Sequence, residues 1–305
     1  MDMNKIEENS RNRIWDKKKF ITYLIWTFFI AWILQIVASI FARQGNTVLF
    51  SMILSVSMFA PLIGSVLAKI PLRGMGWKPK VKGNIRFILA AWFVPAVLTI
   101  LGAALYYIIL PERLDLTGEY LKLSAGEAVI EQLASQGITI PMYLIIGAVQ
   151  AIAYAPWMNM FFAVGEEAGW RGAMQPMLYD RFGKSKGRII GGLIWGAWHW
   201  PVIVLAGYEY GTGYWGEPFL GMALFCIITV VMGTLFDVVY EKTNCIWVPA
   251  LAHGAVNAVA AIPMLVLDTD YMNQMTLGPA PVGIISVLPA LLVAVRILLQ
   301  KENQE

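Results

Sequence analysis

Glu166 and Glu167 stand side by side at the end of a long apolar run, with Arg171 four residues beyond the second. The chain has only 2 histidines, and each lies in a further apolar run. His199 closes the stretch Trp195-Gly196-Ala197-Trp198-His199, and His253 opens His253-Gly254-Ala255-Val256-Asn257. An ionised carboxylate is costly in hydrocarbon, so charge in such a run faces an interior cavity and marks function. A carboxylate beside an imidazole can hold and deprotonate a water, and an imidazole with an amide can donate hydrogen bonds to an oxyanion. Those are the parts for hydrolysing an amide.

Helical spacing assigns partners within this set. Glu167 and Arg171 are i and i+4, on one helix face and able to pair. Glu166 points about 100° away around the helix and is the carboxylate free to face a pocket. His253 and Asn257 are again i and i+4, so both can present to one small volume.

The elements that carry these residues are membrane helices. The chain is 58% hydrophobic and 14% charged, with a mean hydropathy of +0.62, whereas a soluble domain has roughly 25% charged residues. The class is all-α and polytopic. A net charge of +3 needs no nucleic-acid partner to explain it. Cys226 and Cys245 make neither a disulfide framework nor a CxxC pair and read as packing residues.

Eight spans are predicted. The first, Phe20 to Ala42, is uncharged over 23 residues, long enough to cross a bilayer and too long for a signal-peptide core. The others run from about 47 to 67, 87 to 110, 141 to the Glu166-Glu167 pair, 189 to 206, 219 to 236, 246 to 267 and 282 to 299. Pro156 should kink or break the fourth. Between 111 and 139 the chain is acidic, and Ser124 with Glu127 has capping-box spacing for a short surface helix that stops at Gly137. The loop from Gly207 to Pro218, rich in Gly, Tyr and Trp, reads as an interfacial aromatic belt.

Eight spans put both termini on one side. Every Lys and Arg except Arg43, Arg113 and Lys122 then falls on that side, which makes it the cytoplasm. The organisation is a cytoplasmic segment 1–19, a transmembrane domain 20–300 with a catalytic core at about 141–270, and a tail 301–305, in a multi-pass protein of the cell membrane. At about 1.5 Å of rise per residue, His199, His253, Asn257 and Glu166 all fall roughly 10 to 18 Å from that face, in one layer.

The three motifs together, Glu166-Glu167-xxx-Arg171, Trp195-xxx-His199 and His253-xxx-Asn257, resemble those of the CPBP family of intramembrane proteases. That group includes the type II CAAX prenyl endopeptidases and bacterial homologues linked to bacteriocin processing and immunity. The resemblance covers about residues 141–270, with one departure: the second motif most often begins with Phe, and here it has Trp195. It implies that Glu166 and His199 activate the water, that His253 and Asn257 form the oxyanion hole, and that Glu167 with Arg171 orients the site. The site would open to the cytoplasmic side. The implied partner is a peptide or protein substrate, lipid-modified in some relatives, beside the membrane lipids.

Whether a metal takes part is left open by these residues. Glu166, His199 and His253 form a two-His, one-carboxylate set suited to a catalytic zinc, but there is no HExxH pairing, and direct activation of water by Glu and His needs the same side chains. The alternative class is a non-catalytic transporter, or an immunity or binding protein, that uses the same charges to hold a substrate or partner. Paired inverted repeats with broken helices would favour a transporter, and the sequence has none.

Overall fold

The computed structural model describes residues 14–300. The N-terminal residues 1–13 and the tail 301–305 lie outside the described residues, and with them most of the expected cytoplasmic segment. The described chain is helical, with one isolated bridge between Leu114 and Leu267 in place of any strand.

Helix α1, Lys17–Arg43, starts at Asp16, whose side chain accepts from the Lys19 amide. Its buried residues include Tyr23, Thr27, Ala31, Gln35 and Ser39, a stripe four residues apart, while Ile21, Ile25, Phe29, Ile33 and Ile36 face outward. A face of small and polar residues inward with large apolar residues outward is the arrangement expected where the surroundings are lipid. Next come α2 (Thr47–Ser57) and α3 (Ala60–Leu67), both packed on α1, and then α4 (Ile85–Ile109).

Two short helices follow, α5 (Glu119–Ala125) and α6 (Glu127–Ser135). The capping box expected here does not form. Ser124 belongs to α5 and donates to the Leu121 carbonyl, and Gly126, at φ +89°, stands at the start of α6. The expected stop is present, since Gly137 takes φ +74° just past the helix end.

The fourth predicted span is built from α7 (Ile140–Ala153) and α8 (Ala155–Glu167), broken at Tyr154 with Pro156 in the first turn of the second piece. Ala168–Met174 then continues as a π-helix into α9 (Gln175–Phe182). Helices α10 (Lys184–Trp198) and α11 (Trp200–Ala206) meet at His199. Helix α12 is Phe219–Thr243, α13 is Trp247–Val259, and α14 is Leu288–Leu299.

By length and composition, 6 stretches of the described chain can each cross a membrane, and up to 7 if the bent pair α6 and α7 is one span. The protein is therefore an integral membrane protein of several helices. The stretch expected to cross last is helical only over the 12 residues of α14, because residues 281–287 form turns.

Two helix pairings position the site. Helix α13 packs along α8, and α10 packs along α12. In the second pair Gly196 lies so near the neighbouring backbone that an added Cβ would stand 2.5 Å from Cys226 Cα. Small residues permit this approach between membrane helices. Near the other end of α10, buried Arg188 pairs with Asp237 at 2.8 Å and Glu241 at 3.1 Å on α12, while Tyr179 of α9 donates to the same Asp237. The start of α10 is thereby tied to α12 by charge.

Candidate active site

A cavity of about 450 Å³ lies among these helices, and Glu166, His199, His253 and Asn257 all line it. Three separated stretches of chain meet there. Glu166 is 2% exposed and its neighbour Glu167 is 0% exposed, so two adjacent carboxylates are removed from solvent and each requires partners.

Their partners differ. Glu166 Oε2 accepts from Trp170 Nε1 at 3.0 Å and from Trp195 Nε1 at 2.7 Å. Glu167 Oε1 accepts from Arg171 at 3.1 Å and lies 2.9 Å from His253 Nδ1. Glu166 borders the cavity, whereas Glu167 stands behind His253 and joins it to Arg171. The Arg171 guanidinium is itself packed over the rings of Trp195 and Phe236, at 4.8 and 5.4 Å.

Both imidazoles are set by their Nδ1 bonds. His199 Nδ1 lies 2.9 Å from the Trp195 carbonyl oxygen. A carbonyl only accepts, so Nδ1 carries the proton and Nε2 keeps its lone pair. His253 Nδ1 likewise donates to the Glu167 carboxylate, leaving its Nε2 as the second free ring nitrogen. The His253 ring lies against Trp195 at 5.3 Å and stacks on Phe236 at 5.5 Å. His199 is packed against Trp198 and Phe225, each at 4.6 Å between centroids. Asn257, the most exposed of the four, borders the cavity one turn beyond His253.

The candidate zinc ligands Glu166, His199 and His253 share this cavity. Among the described residues, however, no three His, Cys, Asp or Glu side chains gather closely enough to hold a metal ion. The residues as arranged do not fit a metal centre.

Sequence reasoning missed Trp170, Tyr208 and Glu209. Trp170 was within reach, since it is i+4 from Glu166, the same spacing that pairs Glu167 with Arg171. Trp195 stands where the second motif most often has Phe. Its indole N–H adds a donor to Glu166 that a phenyl ring lacks. The loop from 207 to 218 is only partly an exposed aromatic segment. Trp215 is 86% exposed, but Tyr210 is fully buried, and Tyr208 and Glu209 line the cavity.

The fold and site define a class: a helical membrane protein enclosing a glutamate- and histidine-lined cavity within its bundle. Residues 131–259, less than half of the chain, match the family model described as type II CAAX prenyl endopeptidase Rce1-like. The match agrees with the resemblance drawn from the three motifs and covers every residue of them. The family is one of membrane peptidases acting on peptide substrates. Compared with curated proteins, the chain matches none.

Proposed function

We propose that the protein is an intramembrane endopeptidase that cuts a membrane-associated or C-terminal peptide with a water activated by Glu166 and His199. The observation that carries this reading is the convergence of Glu166, His199, His253 and Asn257 on one cavity, with neighbouring groups already engaging Glu166 Oε2 and both Nδ1 atoms.

The chemistry follows from the free atoms. Both indole bonds go to Glu166 Oε2, so Oε1 is the oxygen available to a water, and His199 Nε2 is a second acceptor. Glu166 takes the water's proton as the oxygen attacks the scissile carbonyl carbon. With Nδ1–H on the Glu167 carboxylate, the doubly protonated form of His253 donates from Nε2 to the developing oxyanion together with the Asn257 amide. Collapse breaks the C–N bond, and the proton held by Glu166 passes to the leaving nitrogen. The two indoles fix the carboxylate throughout, a positioning that itself lowers the barrier. No step passes through a metal.

The same proposal includes eight crossings, with α7 and α8 as the fourth and residues 282–299 as the last, cytoplasmic termini, and residence in the cell membrane. The support is the distribution of Lys and Arg along the sequence. The catalytic core of about 141–270 then belongs to one transmembrane domain. With the termini so placed, His253 stands on the cytoplasmic half of its helix, and Phe50, Tyr208 and Glu209 line the same cavity. The family description points to a peptide with a lipid-modified C-terminal tail as one such substrate.

The test is cleavage of a peptide library by the purified protein beside Glu166→Gln and His199→Ala, with and without a strong zinc chelator. Loss of a general base or acid costs about 10²–10⁴-fold, so each variant should fall by that order while the chelator leaves the wild type unchanged. Full cleavage by Glu166→Gln would overturn the assignment, and loss to the chelator would move the chemistry to a metal.

A further inference from the structure

Glu209 takes no part in the hydrolytic set, yet it lines the same cavity. It lies in the connection between α11 and α12, with its backbone at φ +66°, a left-handed conformation uncommon for a residue with a side chain. Both neighbours are anchored. The Tyr208 ring lies nearly parallel to that of His199, 6.3 Å away, and Tyr210 donates to the Val282 carbonyl at 3.2 Å. Tyr208 also hydrogen-bonds the Glu209 carboxylate, which burial pushes above the usual glutamate range. The carboxylate is thus held towards the cavity by the residues on either side of it.

Among the described residues lining the cavity there is no Lys or Arg, and its two carboxylates are Glu166 and Glu209. Glu166 already has two indole donors, whereas Glu209 has only the phenol of its neighbour. A half-buried carboxylate of this kind lacks a cation, and a guanidinium or ammonium brought in by a ligand would supply one. Val202, Tyr208 and Phe225 line the same cavity and give apolar surface for an aliphatic stem.

We propose that Glu209 is a specificity-determining residue that receives the cationic side chain of a Lys or Arg in the peptide substrate. The inference rests on the peptidase reading above. It adds a substrate class that the four candidate catalytic residues leave unspecified.

The probes are acetylated, amidated peptides identical except at one position, which carries Arg, Lys, norleucine or Glu. A norleucine peptide with a free N-terminus separates a terminal amine from a side chain. Binding is read by tryptophan fluorescence in a Glu166→Gln background, and cleavage is read in the wild type. Arg and Lys peptides should bind about tenfold or more tighter than norleucine, the scale of one charge-assisted hydrogen bond. Adding Glu209→Gln should abolish that difference, and Glu209→Lys should favour the Glu peptide. Glu209→Gly suits the left-handed backbone and keeps the fold testable by melting temperature, and it too should lose the preference. Equal binding of Arg and norleucine peptides overturns the proposal, as does a preference that survives Glu209→Gly or follows the free N-terminus instead. The two readings fail separately. A Glu209-dependent preference without any cleavage leaves this inference standing and removes the peptidase, while Glu166-dependent cleavage without a cation preference does the reverse.

Discussion

At the residue scale, the site is defined by which oxygen or nitrogen each partner takes. Trp195 performs two functions through different atoms: its carbonyl orients His199 and its indole N–H holds Glu166. Trp195→Phe separates them, because the carbonyl and an aromatic ring remain and only the donor is lost. A hydrogen bond to a charged group contributes about 1.5–3 kcal/mol, so we expect kcat to fall about tenfold or more with KM little changed. A rise in KM alone would mean that the indole positions substrate and not the carboxylate. The sequence made part of this visible. The i,i+4 rule gives Glu166–Trp170 and Glu167–Arg171, since both partners ride on neighbouring turns of one stretch. It cannot give Trp195–Glu166 or His253–Glu167, which span 29 and 86 residues and depend on how separate helices pack. Glu209 had still less signal, being one polar residue in an irregular loop with no period to read.

At the element scale, the apolar runs identified the helices and their approximate ends, and proline marked where they restart. Pro61, Pro156, Pro201 and Pro289 each stand in the first turn of a helix, where the missing N–H would have no intrahelical acceptor. The π-helix at Ala168–Met174 carries no such mark, and hydropathy does not distinguish it from α. Close contact between α10 and α12 makes a separate prediction. Gly196→Ala introduces a Cβ beside Cys226 Cα and Thr229 Oγ1. A backbone neighbour cannot rotate away, and overpacking of this kind costs about 1–3 kcal/mol. Thermal unfolding in detergent should show a lower melting temperature than the wild type, with reduced cleavage because His199 follows three residues later. Gly147→Ala in α7, where an added Cβ meets nothing within 4 Å, should leave stability unchanged or raised by up to about 1 kcal/mol of helix propensity. Equal effects at the two glycines would remove the packing argument.

At the scale of the whole molecule, the proposed orientation rests on charge placed along the sequence. It predicts that Lys80→Cys, in the exposed basic loop, reacts with an impermeant maleimide only from the cytoplasmic face. Trp215→Cys, on the exposed part of the Gly207–Pro218 loop, should react only from the opposite face. The native Cys226 and Cys245 are buried and should stay silent. Labelling of both introduced cysteines from one face would overturn the crossing pattern. The interior volume has a further consequence, for how the reaction is supplied. At roughly 30 Å³ per water molecule, a cavity of about 450 Å³ has room for on the order of ten waters or more. Each bond cut consumes one. Water for a cleavage can therefore stand beside the glutamate before the substrate arrives.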